Sequence, residues 1–294
     1  MNVSASAGAS RGPAPADEIV LVGREDELAS LQALLDDVGA GGASRVIYGD
    51  PGIGKSALVD EFGRLARARG VKVARTVGMP AEQAMAFAGL HRLLRPYLAH
   101  APSLPEPQRN ALDAAFGRSG AVANDLFLVA LAALELLADA TEGSPLLIVV
   151  EDAHSLDPDT LQALGFIGRR IELDPILLLI TSRDLQAVPN AIADLPSLHL
   201  DRLNTAASAH LINLVTPSIS ESVRIRVLEV SAGNPLALME FARAAVRGEN
   251  LSTLVPLADD GAPHPHVRRA SAHPSSADIR SVTCHRARRG RSLC

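Results

Sequence analysis

Residues 49–56 read "GDPGIGKS", with the apolar run "RVIY" (45–48) before them and "ALVDEFGRLARARG" (57–70) after them. It fits the pattern G-x-x-x-x-G-K-[ST] through Gly49, Gly54, Lys55 and Ser56. The chemistry needs that spacing. Glycines let successive backbone N–H groups turn inward to phosphate oxygens with no Cβ in the way. Lys55 then reaches the β- and γ-phosphates, Ser56 offers its hydroxyl to Mg2+, and the following helix points its positive end at the anion. Gly49, Asp50, Pro51, Gly52, Ile53, Gly54, Lys55, Ser56 and Ala57 are the expected phosphate-binding residues. Lys55 and Lys72 are the only lysines among 28 basic side chains, all others being Arg, so the one lysine in the cradle stands out from the composition.

A P-loop also needs a carboxylate on the metal side, at the end of another strand. "PLLIVVEDAHSLD" (145–157) is a continuous apolar run that ends in Glu151 and Asp152. Neighbouring strand residues point to opposite sides, so the two acids cannot share a role. One is expected to hold the Mg2+ water shell with Ser56, and the other to orient an attacking water. Asp157 reads as the cap of the next helix, and His154 as a structural loop residue. A second apolar run, "PILLLITSRD" (175–184), brings Thr181, Ser182 and Arg183 to the same sheet edge. Arg183 is placed either to sense the γ-phosphate or to pair with Asp184 or Glu151.

Further from the cradle, helical spacing runs from Leu28 to Val38, through "KSALVDEFGRLARARG" to Gly70, and from Asp159 to Ile171. "VKVARTV" (71–77) alternates like a strand. Between Glu82 and Ala140 three helical patterns follow: "EQAMAFAGLHRLLRPYL", "EPQRNALDAAFG" and "DLFLVALAALELLADA". Apolar strands alternating with helices predict a parallel sheet covered on both faces. From about Leu203 the pattern is all helical, in "TAASAHLINLV", "SESVRIRVLEVSAG" and "NPLALMEFARAAVRG". The predicted organisation is a lead-in at 1–18, an α/β domain at 19–202, a small all-α lid at 203–257 and a basic tail at 258–294. Low apolar content predicts disorder in the lead-in and the tail.

The 294 residues can bury one large or two medium cores. From Ala258 to the end there are seven Arg against three Asp, so the remainder is more acidic than the net charge of −5. An acidic body argues against a large nucleic-acid footprint. Both cysteines, Cys284 and Cys294, lie in the tail, which excludes a disulfide framework and fits a reducing, cytoplasmic setting. The most apolar helix pattern is interrupted by Glu135 and is too short for a membrane span.

"LVGREDEL", "GDPGIGKS", "LLIVVEDAHSLD", "LLLITSRD" and "GNPLAL" together resemble the STAND/AAA-type ATPase module of P-loop NTPases, specifically the N-terminal part of large LuxR-family (LAL-type) bacterial transcriptional regulators. "FAGLHRLLRPYL" and "LPEPQRNALDAAFG" carry the subfamily likeness, which covers roughly residues 19–257. The resemblance implies that Val22 and Arg24 border the adenine, that Glu151 and Asp152 are the paired acids and that Arg183 is the sensor arginine. Pro235 would close over the nucleotide from the lid, although a Gly-x-Pro turn is also an ordinary helix start. Glu151 stands where the family more often has Asp, and Ser155 where an aromatic is common. Such regulators continue into a helix-turn-helix; the tail lacks that pattern and reads like out-of-frame translation, so a truncated regulator is expected.

The function expected on this basis is an ATP-binding, slowly hydrolysing switch using ATP and Mg2+. ATP, ADP and a second copy or protein partner are its expected partners, without membrane or sequence-specific DNA binding. Two other readings are a DNA-binding LuxR-type regulator acting through the tail and a P-loop small-molecule kinase.

Overall fold

A computed structural model describes residues 21–119 and 125–248; the lead-in, the tail with its cysteines and the outer limits of the two expected domains lie outside the described residues. The apolar runs form β1 (Ala43–Tyr48), β2 (Lys72–Val77), β3 (Leu146–Glu151), β4 (Ile176–Ser182) and a short β5 (Ser197–His199). All neighbours are parallel, in the order β2-β3-β4-β1-β5. The unbroken hydrophobicity of β3 and β4 follows from burial on both faces. Leu146, Ile148, Val150, Ile176, Leu178 and Ile180 join one core, while Leu147, Val149, Leu177 and Leu179 join the other. Each such Leu or Ile is worth about 1.5–3 kcal/mol when withdrawn from water.

The second core is closed by α1 (Glu25–Asp37), through Leu31 and Leu35, and by α2 (Lys55–Ala68), through Leu58, Val59, Phe62 and Ala66. The first is closed by α3 (Ala88–Leu94), α4 (Glu106–Ala115), α5 (Leu126–Asp139), α6 (Pro158–Gly168) and α7 (Asn190–Ala193). This is the expected α/β fold with helices on both sheet faces. The chain then becomes helical, as α8 (Thr205–Val215), α9 (Glu221–Ser231) and α10 (Pro235–Val246). Their own core contains Leu211, Ile212, Val227, Leu238 and Ala242. No helix among the described residues is long and apolar enough to cross a membrane.

Two local expectations need correction. The run 82–98 is not one helix: α3 starts only at Ala88, after Phe87 in a left-handed conformation with φ 59, and passes into 3-10 turns from Arg95. The cause is a distant acid. Buried Asp157, the N-cap of α6, accepts from the N–H groups of Phe87 (2.8 Å) and Gly89 (3.1 Å), while Pro96 prevents a regular continuation. The second correction is β5 with α7, absent from the sequence reading because three and four residues show no periodicity.

Candidate functional site

The chain leaves β1 at Tyr48, makes the turn Gly49–Gly54 and enters α2 at Lys55. Gly54 holds φ 103, open only to a residue without a Cβ, and nothing lies within 4 Å of where that Cβ would be. Five consecutive carbonyls of this turn are each held by a donor. Lys55 Nζ donates to Gly49 O (2.7 Å) and Asp50 O (3.0 Å). Asn234 Nδ2 donates to Pro51 O (2.9 Å), the Leu236 N–H to Gly52 O (3.2 Å) and an Arg24 terminal nitrogen to Ile53 O (3.0 Å). A loop whose N–H groups are to face an anion must satisfy its carbonyls elsewhere, and this one does.

Above the turn lies a cavity of about 630 Å3, within the range of small-molecule sites. Pro51, Gly52, Ile53, Gly54, Lys55, Ser56 and Ala57 form its floor, with Asp152 and Arg183 at one side. Leu21, Val22 and Arg24 close the lead-in side, and Leu203, Leu211, Pro235, Leu236 and Met239 the side of the helical part. Twelve of the residues named from sequence thus meet in one cavity: Val22, Arg24, the seven from Pro51 to Ala57, Asp152, Arg183 and Pro235. Gly49, Asp50 and Glu151 do not line it. Gly49 and Asp50 act from behind through their carbonyls, and the Asp50 carboxylate pairs with Arg202 at 3.3 Å.

The two adjacent acids diverge. Asp152 is exposed to the cavity in a left-handed turn with φ 49, its N–H donating to Thr181 Oγ1 (3.1 Å), which fastens the end of β3 to β4. Glu151 points to the α2 side, where Arg75 holds it at 3.3 Å and holds Asp60 of α2 at 2.6 Å. Arg183 is exposed in the cavity wall and forms no ion pair with Asp184 or Glu151 among the described residues. Burial lowers the Lys55 pKa; Asp152 opposes that shift, and Arg183 adds to it. His154 is also lowered, first by burial and then by Arg183, with Asp152 opposing, and its buried Nδ1 has no hydrogen-bond partner among the described residues.

Arg24, expected beside the base, is 4% exposed and its guanidinium is already committed: to Ile53 O, to Asp201 O (2.6 Å) and to Glu27 (2.8 Å). It borders the cavity as a brace. Asn234, Arg75 and Arg202, and the apolar Leu203, Leu211, Leu236 and Met239, belong to no motif that assigns them a role. Asn234 alone carried a signal, an N-cap residue type directly before Pro at the first helical position.

Residues 20–180 match the AAA ATPase domain family. The chain belongs to that family. The uncharacterized protein R02095 of Rhizobium meliloti (strain 1021) is 31% identical over an alignment of 196 positions that covers 55% of this chain and 18% of that protein. The chain therefore spans less than a fifth of that relative. Among solved structures, the Walker-type ATPase PABY2304 of Pyrococcus abyssi superposes with TM-score 0.52 at 12% identity, covering 79% of this chain and 69% of its own. Cdc6p from Pyrobaculum aerophilum gives TM-score 0.50 at 17% identity, covering 77% and 63%. At such identities the likeness is one of fold.

The donor set suits the nucleotide that the family implies. The cavity floor offers N–H groups, a buried ammonium and the Ser56 hydroxyl, with Asp152 at one side. Among the described residues no three His, Cys, Asp or Glu side chains gather as a metal cage. Magnesium carried on a nucleotide needs none, because it keeps most of its waters and takes one or two protein oxygens.

Proposed function

We propose that this AAA-family chain is the nucleotide switch of a STAND-type, LuxR-like regulator: it binds ATP with Mg2+, hydrolyses it slowly, and differs between ATP and ADP states in how its helical part sits on the P-loop. The observation that carries the reading is the cavity shared by both. Its floor is the P-loop and its opposite wall is the start of α10, which is itself hydrogen-bonded to Pro51 and Gly52. A ligand filling it touches both, so its phosphate state biases their packing. When bound, Mg2+ would neutralise charge between the phosphates, with Ser56 as the protein oxygen at the cavity floor; Glu151, held by Arg75 on the α2 side, does not line the cavity. Lys55 neutralises the terminal phosphates, Asp152 orients water beside them, and Arg183 faces their charge with no ion-pair partner among the described residues.

The test is thermal or chemical unfolding with and without Mg-ATP. At 100 times the dissociation constant the ligand is expected to stabilise the fold by about 2.7 kcal/mol. Lys55→Ala is expected to abolish that gain. Identical unfolding curves for the wild type with and without Mg-ATP would overturn the proposal.

A further inference from the structure

We infer that Asn234 is a positioning residue of the nucleotide site, acting through the Pro51 carbonyl; this rests on the nucleotide reading above. Asn234 is 5% exposed and uses both ends of its amide. Its Oδ1 accepts from the Ala237 N–H (3.2 Å), capping α10, and its Nδ2 donates to Pro51 O (2.9 Å). Ser, Asp and Asn cap helices about equally well, but only Asn adds an N–H donor of this reach. The cap alone does not require Asn; the second bond does.

That bond has a consequence inside the cavity. The peptide unit joining Pro51 and Gly52 is planar, so fixing its carbonyl fixes the Gly52 N–H in the opposite direction. Gly52 lines the cavity, and its N–H has no partner among the described residues. Gly52 also packs closely under α10: a Cβ there would lie 2.8 Å from Leu236 Cβ and 3.0 Å from Asn234 Oδ1. One side chain of the helical part therefore aims one donor of the phosphate cradle. Moving α10 releases that donor, and binding an anion to it favours the docked position of α10.

The experiment compares wild type, Asn234→Ser and Asn204→Ser. Asn204 caps α8 in the same manner, accepting from the Ala207 N–H at 2.9 Å, but is exposed and forms no hydrogen bond to the loop among the described residues. Nucleotide-free melting, amide hydrogen exchange of residues 50–54 and titration with Mg-ADP are measured for each. Asn234→Ser is expected to melt below Asn204→Ser, to exchange faster over 50–54, and to bind Mg-ADP about fivefold to tenfold more weakly, the effect of losing one buried hydrogen bond. Asn204→Ser is expected to bind as wild type does. Asn234→Asp, which keeps the cap and has no donor, is expected to quicken exchange over 50–54 likewise. Exchange unchanged in Asn234→Ser overturns the inference whether or not nucleotide binds, and so does an affinity within twofold of wild type. A wild type that binds no nucleotide sinks the function proposed above, and the exchange arm still decides what Asn234 does.

Discussion

Asp157 is 2% exposed, and its carboxylate collects four donors from two elements far apart in the chain. Oδ1 accepts from Phe87 N (2.8 Å) and Thr160 N (2.8 Å); Oδ2 accepts from Gly89 N (3.1 Å) and Thr160 Oγ1 (2.7 Å). The loop that carries Asp152 and His154 is strung between β3 and this node, so the node also positions the site. Replacing Asp157 with Ala removes an N-cap worth about 1 kcal/mol. It further leaves two buried backbone N–H groups, at Phe87 and Gly89, without acceptors, at about 1–3 kcal/mol each. The expected loss is about 4 kcal/mol, a large part of the 5–15 kcal/mol typical of a domain. Asp157→Asn keeps one acceptor oxygen for two donors but turns an NH2 toward the others, so about half that loss is expected. Urea unfolding followed by circular dichroism, with the m-value checked for constancy, measures both. A loss under 1 kcal/mol for the Ala variant, or equal losses for Ala and Asn, would refute the reasoning.

Asp152→Asn preserves shape and removes the charge beside the phosphates; Mg-ATP affinity is expected to hold within about threefold while hydrolysis falls by about 10²–10⁴, the range for a positioned acid or base. Phosphate release at the wild-type rate counts against the role given to Asp152. His154 is held below its ordinary pKa of 6.5, first by burial and then by Arg183. As pH falls below about 6.5 the unfolded chain takes up a proton that the folded one still refuses, so stability is lost in that window until the folded pKa is passed. His154→Gln is expected to shed less stability than wild type between pH 7.5 and 5.5, read from denaturation midpoints at each pH; equal losses exclude this contribution.

The sheet and the cradle were legible because each depends on residues close in sequence. Leu146–Val150 and Ile176–Ile180 carry their two-sided burial in unbroken hydrophobicity, and Gly49, Gly54, Lys55 and Ser56 carry a fixed spacing. Alternation along a strand also foretold that Glu151 and Asp152 diverge; that Arg75 and Asp60 wait on the Glu151 side did not follow from it. The break in 82–98 was illegible for the same reason. Its cause, Asp157, lies about 70 residues away, and local helical spacing says nothing of an acceptor arriving from another element. Asn234 sits 183 residues from Pro51, so its cap was readable and its second bond was not. Arg24 shows the converse: its neighbourhood was anticipated, but carbonyls from the loop and from Asp201 occupy the guanidinium.

The proposed switch requires a nucleotide lying between the P-loop and the start of α10. Amide hydrogen exchange of the wild-type chain with and without Mg-ADP tests this most directly, because it reports each wall of the cavity separately. Protection is predicted over residues 50–57 and, in the same sample, over 234–239. Protection in neither segment, or in the loop while 234–239 exchange as before, would contradict it.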